Sequence, residues 1–171
     1  MSDFTRNGET RFQEGGKTKN GEIVVNSIPA HGRLVFHASE FHLKPFICKG
    51  SACNLADVIA VYKNGHRFYL IGIEIKDWIR EVYSGLAKRY LDAYRKSCEF
   101  FYIAARSFSQ ELFHIEDIGL FDLNALKVIK SPRYLYPDYK YRSHVIWRIK
   151  REFNELLDVV EDPYQRTLCE F

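Results

Sequence analysis

Two acids and a lysine stand out because of where they fall. Leu55–Tyr62 and Phe68–Lys76 are apolar, partly β-branched runs, and Lys63-Asn64-Gly65-His66 lies between them. Asn-Gly is the strongest short hairpin signal, so the two runs are expected to pair. Read as a type I′ turn on Asn64-Gly65, the hairpin sets Lys63 opposite His66, Asp57 opposite Gly72 and Glu74 opposite Leu55. Side chains alternate across a sheet, so Asp57, Gly72, Glu74 and Lys76 share one face. Tyr69, Ile71, Ile73 and Ile75 form the other, a core face. Asp57 and Glu74 are then diagonal neighbours, about 7–8 Å apart, with open space at Gly72 across from Asp57. Two carboxylates so placed can hold one hard divalent cation, Mg²⁺ or Mn²⁺, which keeps waters for chemistry. A lysine two residues beyond would lie beside a cation-bound water. There it can orient the water or stabilise charge on a phosphoryl group. The competing reading is a solvent-facing strand with an ordinary Glu–Lys pair. The second acid, the hairpin register and the basic segment that follows favour the chemical one.

The elements that must position these residues are legible in outline. Ala87, Leu91, Tyr94, Cys98 and Phe101 keep one helical face after the hairpin, and Phe100–Ala104 reads as a buried strand. Gly119–Leu123 and Leu126–Ile129 read as two short strands around Asn124. Leu34–Phe36 and Glu40–Leu43 are extended candidates interrupted near Ser39, and Ile23–Ile28 is expected as a short strand. Residues 1–20 read as a loose arm, and residues 140–162 as an amphipathic helix on Ile146, Ile149, Phe153, Leu156 and Val160. At 171 residues and 46% hydrophobic composition, one domain spanning 1–171 is expected, with a sizeable core.

The net charge is only +3, so any nucleic-acid surface must be local. The charge is indeed uneven. Residues 76–106 carry seven basic and four acidic groups, and residues 127–151 carry eight and one. These stretches alternate with acidic ones at 107–126 and 152–171. No apolar run reaches the length of a membrane span, and the N-terminal residues are too polar for a secretory signal. A reducing, cytoplasmic setting is therefore expected. Cys48 and Cys53 stand at a spacing just permitted for a zinc pair, Cys98 reads as core, Cys169 is near the terminus, and the four do not match an iron–sulfur cluster pattern.

With Ala56-Asp57-Val58-Ile59-Ala60-Val61, then Gly72-Ile73-Glu74-Ile75-Lys76, then a helix, the sequence resembles the PD-(D/E)XK nucleases. Arg89–Tyr94, Cys98–Ala104 and Ile118–Asp122 resemble the MmcB-type branch, a group of DNA-repair nucleases. The likeness spans about residues 40–132. It implies an α/β fold, a mixed central β-sheet flanked by helices with a restriction-endonuclease-like core. It also implies an Mg²⁺- or Mn²⁺-dependent nuclease that hydrolyses phosphodiester bonds, with DNA as the expected substrate. By the same resemblance Asp57 and Glu74 bind the metal, the Ile75 carbonyl joins them, and Lys76 is the catalytic lysine. Such enzymes often draw a further acid from upstream, for which Glu40 is the candidate and Glu22 the substitute. The family usually begins with a helix, and residues 1–30 contain no convincing one.

Lys88 and Arg89 fall where some relatives touch phosphate. Tyr94, on the apolar stripe, reads as core. Lys140, Arg142, Arg148, Lys150 and Arg151 precede Glu152, Glu155, Asp158 and Glu161 on the final helix, an order that opposes the helix dipole. Arg148 and Arg151 are therefore candidates for nucleic-acid phosphates, or for an acidic patch in a homodimer. The alternatives to an enzyme are a non-catalytic nucleic-acid-binding module on the same fold and a protein–protein adaptor.

Overall fold

The computed structural model describes residues 19–28, 31–43 and 55–152. Its centre is a six-stranded mixed sheet whose strands lie side by side in chain order. These are β1 (Arg33–His42), β2 (Leu55–Asn64), β3 (Arg67–Lys76), β4 (Phe100–Ala105), β5 (Gly119–Asp122) and β6 (Lys127–Lys130). β1, β2 and β3 form an antiparallel meander, β3, β4 and β5 run parallel, and β6 returns antiparallel. Among the described residues three α-helices flank the sheet: α1 (19–26), α2 (Ser84–Tyr94) and α3 (Tyr139–Glu152). This is the mixed α/β architecture expected from the sequence. Parallel neighbours cannot be joined by a tight turn, and α2 supplies the crossover between β3 and β4.

Both faces of the sheet are covered. On one, Ala87, Leu91 and Tyr94 of α2 and Val145 and Ile149 of α3 join Ile59, Val61, Leu70, Phe101 and Ile103. On the other, Val24, Val25 and Ile28 join Val58, Tyr62, Ile71, Ile73 and Ile75. A strand buried on both sides reads as a near-continuous apolar run, which is why β3 is so rich in isoleucine.

α1 corrects the expectation of a strand at Ile23–Ile28. Ile-Val-Val favours a strand by propensity, but Gly21, Val24, Val25 and Ile28 are buried at helical spacing. Packing of that face outweighs the local preference. The helix absent from the reading of residues 1–30 is thus present. Residues 1–18, and residues 153–162 of the expected C-terminal helix, lie outside the described residues. β1 is one strand rather than two. It carries a register shift between Leu34 and Phe36, and Glu40 adopts a left-handed φ of 55°. Among the described residues no helix is long and apolar enough to cross a membrane.

α3 is pinned to the sheet by a buried ion pair. The Arg142 guanidinium bonds Glu99 and reaches the Phe68 carbonyl at 3.2 Å, while the other Glu99 oxygen accepts the Leu70 N–H at 2.6 Å. Arg142 is therefore committed to structure, which sets it apart from the other bases of the final helix. Arg142→Ala strands a buried carboxylate, and a loss of about 3–5 kcal/mol is expected in urea unfolding. A loss under about 1 kcal/mol would show that the pair does not hold α3.

Candidate active site

The hairpin is real, but its turn is shifted. Asn64 pairs with Arg67, leaving Gly65-His66 as the loop. Gly65 has φ +60° and His66 is not left-handed, which fits a type II′ turn with glycine first rather than the expected type I′. Lys63 consequently faces Phe68 and Val58 faces Ile73, a slip of two residues from the expected register. A slip of two preserves which face each side chain occupies. Continuing this register sets Asp57 directly across from Glu74, closer than the diagonal expected. Gly72 faces Ile59, and the space above it is not open. A Cβ built there would lie 2.0 Å from Cδ1 of Tyr94, whose ring fills the gap.

Tyr94 carries its hydroxyl to the point where the β2–β3 pairing ends. The hydroxyl donates to Oε1 of Glu74 at 2.6 Å and receives the Asp57 N–H at 3.3 Å. Burial pushes the Tyr94 phenol well above its ordinary range, so it acts as a neutral donor. Asp57 Oδ2 accepts the Ile75 N–H at 2.8 Å. In a strand the N–H and C=O of one residue point to the same side, so the Ile75 carbonyl faces the Asp57 side of β3.

Lys76 closes the cluster. Its Nζ lies 2.5 Å from Glu74 Oε2 and 3.3 Å from Asp57 Oδ2. The side chains of Glu74, Lys76 and Asp57 are only 3%, 4% and 10% exposed. This is no solvent-facing strand: two carboxylates and one ammonium, formally one negative charge in excess, are held almost out of water. Burial, then the neighbouring Asp57 carboxylate, push Glu74 up to about 7 despite its lysine. Burial works to lower Lys76, but the two carboxylates outweigh it and hold the ammonium above its ordinary value. The Nζ also lies 4.3 Å from the Tyr90 ring centroid and 5.1 Å from that of Trp78, within cation–π range.

The structure thus brings Asp57, Glu74 and Lys76 together with the edge of Ile75. Among the described residues no third acidic, histidine or cysteine side chain joins to make a larger ligand group. Glu40 falls in register between Ser39, paired with Val58, and Phe41, paired with Ala56, so its backbone stands beside Asp57. Its side chain is exposed. Glu22 is exposed on α1, and Lys88 and Arg89 are exposed on α2. The Arg148 guanidinium stacks 4.9 Å from the Phe41 ring centroid, and Arg151 lies 5.3 Å from that of Trp147. Lys150 and Arg151 fall in the last turn of the described α3, where the dipole favours bases. The opposed charge order depends on residues 153–162, outside the described residues. Cys98 is buried, as its place on the stripe suggested, and the other three cysteines lie outside the described residues.

Three contributors escape a reading of the sequence. Tyr94 sits on the apolar stripe as expected, yet its hydroxyl belongs to the site. The available signal was the use of tyrosine where phenylalanine would fill the core, since a buried phenol needs a partner. Tyr90 and Trp78 flank the lysine, and nothing in their spacing announces it.

No family model matches the chain, and no curated protein matches it. Among solved structures it is similar to SPO1766, a protein of unknown function from Silicibacter pomeroyi. The two are 20% identical over 85% of this chain and 90% of that one, with a TM-score of 0.51. It is also similar, at 17% identity over 72% of this chain and 49% of that one, to a repair endonuclease from Pyrococcus abyssi, with a TM-score of 0.40. The first likeness shows a shared fold and says nothing of activity. The second is too distant to bear on either.

Proposed function

We propose that this protein is a metal-dependent nuclease that hydrolyses phosphodiester bonds in DNA, with Mg²⁺ or Mn²⁺ held by Asp57 and Glu74. The observation that carries the reading is the buried excess of negative charge on a doubly covered strand. Two acids share one lysine with little water to screen them, so a divalent cation would relieve their repulsion. One or two carboxylates, a carbonyl such as that of Ile75, and waters make an ordinary Mg²⁺ shell. When bound, the cation polarises the phosphate and lowers the pKa of its water.

The chain's own groups do the rest. Asp57 is oriented by the Ile75 N–H, and Glu74 by the Tyr94 hydroxyl. Lys76 presents a fixed positive charge toward a phosphoryl group and stabilises charge developing there. Exposed cations, Lys88 and Arg89 among them, supply affinity without reading bases. Glu40, Arg148 and Arg151 are secondary candidates, the first as an added ligand and the others for phosphate.

The test is calorimetry with Mn²⁺ on wild type and Asp57→Asn, alongside cleavage of labelled DNA in Mn²⁺ and in EDTA. Asparagine keeps an acceptor for the Ile75 N–H, which alanine would strand. Affinity is expected to fall at least tenfold in the variant. In wild type it should rise as pH passes through about 7, since Glu74 must release its proton to bind metal. Equal, pH-independent binding in both proteins would leave the triad a purely structural ion cluster.

A further inference from the structure

The segment joining β3 to α2 carries two large rings into solvent beside the cluster. Trp78 is 53% exposed and Tyr83 55%. Trp78 is not loosely attached. It follows Lys76 by two residues, and its ring lies against the Lys76 ammonium at 5.1 Å. The segment is held on both sides. Asp77 is bonded by Arg106 and by Asn20 at 3.1 Å. Val82 donates to the Ser107 carbonyl at 3.0 Å, and its own carbonyl receives the Ser109 N–H at 2.9 Å. A wide aromatic surface is thus fixed in place with much of its area open to water.

Resting on the nuclease reading, we propose that Trp78 is a stacking platform for an unpaired nucleobase, which makes single-stranded DNA the preferred substrate. The Lys76 ammonium lies over the inner face of the Trp78 ring at 5.1 Å, so a base would stack on the outer, solvent-facing side and lead its strand past the cluster. Inside a duplex each base face is already covered by its neighbours and only the two end pairs offer one, whereas an unpaired strand can offer a face at any nucleotide. Base–aromatic stacking also tolerates any sequence, because every base has a π-face. Exposed Arg80, on the same segment, is placed to follow the backbone.

The chain has two tryptophans, and Trp147, on α3, can be changed to phenylalanine so that Trp78 alone reports. Oligothymidylate in EDTA, which keeps the strand whole, is expected to quench this emission, and a blunt duplex of the same length is not. In the full protein, Trp78→Ala should weaken oligothymidylate binding roughly 5- to 150-fold, the effect of losing one stacked base. Trp78→Phe should recover most of it. Mn²⁺ affinity should be kept in Trp78→Phe, which preserves a ring against Lys76. With cleavage intact, equal quenching by duplex and single strand, or undiminished binding by Trp78→Ala, would overturn the stacking role and leave the nuclease standing. Selective quenching without Mn²⁺ binding or cleavage would support the platform and overturn the nuclease.

Discussion

Lys76→Met is expected to lose cleavage by about a hundred- to a thousandfold and to unfold well below wild type. The kinetic loss follows if the ammonium acts on charge that develops in the transition state, since preorganised charge of this kind contributes at that scale. The stability loss follows from geometry. Methionine fills similar space but leaves Asp57 and Glu74, each at most 10% exposed, without their countercharge. Removing one partner of a buried ionic cluster costs about 3–5 kcal/mol, or roughly 10 °C in melting temperature for a chain this size.

The cost should depend on pH. A carboxyl that holds its proton more tightly folded than unfolded loses stability as pH rises through its folded pKa. For Glu74 that value is about 7 with the lysine present, and it moves higher without it. The gap between variant and wild type should therefore widen above pH 7. Mn²⁺ should narrow it by supplying the missing positive charge. Calorimetric melts at two pH values, with and without Mn²⁺, check all of this. Full cleavage by the variant would remove Lys76 from the mechanism, and an unchanged melt would show that the triad does not support the fold.

Gly72→Ala is the second change with a large expected effect, although it adds only one uncharged methyl group. The new Cβ would stand 2.0 Å from the Tyr94 ring. That ring is stacked on Phe101 with centroids 4.6 Å apart and has no easy retreat. Overpacking costs about 1–3 kcal/mol, and more where nothing yields. If the ring moves, its hydroxyl leaves Glu74 and the Asp57 N–H, so cleavage should fall with stability. Tyr94→Phe separates the two effects. It keeps the ring over Gly72 and removes only the hydroxyl, at a cost of about 1–3 kcal/mol for the group left unsatisfied. Denaturant titration with a cleavage assay reads both variants. Wild-type stability in Gly72→Ala would show that Tyr94 is not wedged in place.

The triad was legible because a strand rich in isoleucine is a costly place for Glu74 and Lys76, and because alternation puts Asp57 on their face. That parity survived the misplaced turn, since Gly65 rather than Asn64 takes the left-handed position and the resulting slip was even. Other features lie beyond local pattern. Ile23-Val24-Val25 has the composition of a strand, and only the surface it meets makes it helical. Gly72 reads as vacancy until the tyrosine of the overlying helix is seen in it. Arg142 reads as a surface cation until its distance to Glu99 is known, because sequence carries no measure of which charges are buried together.

Helices on both sides of the sheet have a consequence for how a substrate arrives. Among the described residues α2 and α3 lie over one broad surface and α1 over the other, and Asp57 and Glu74 are at most 10% exposed between them. Lys76 is the last residue of β3, and Trp78 begins the segment that leaves it. For the nuclease proposed above, entry would then be end-on, past the tips of the strands, as into a socket rather than along a furrow. A socket discriminates by girth. A flexible thread can present one phosphate at a time to its floor, while a stiff double helix meets the rim first.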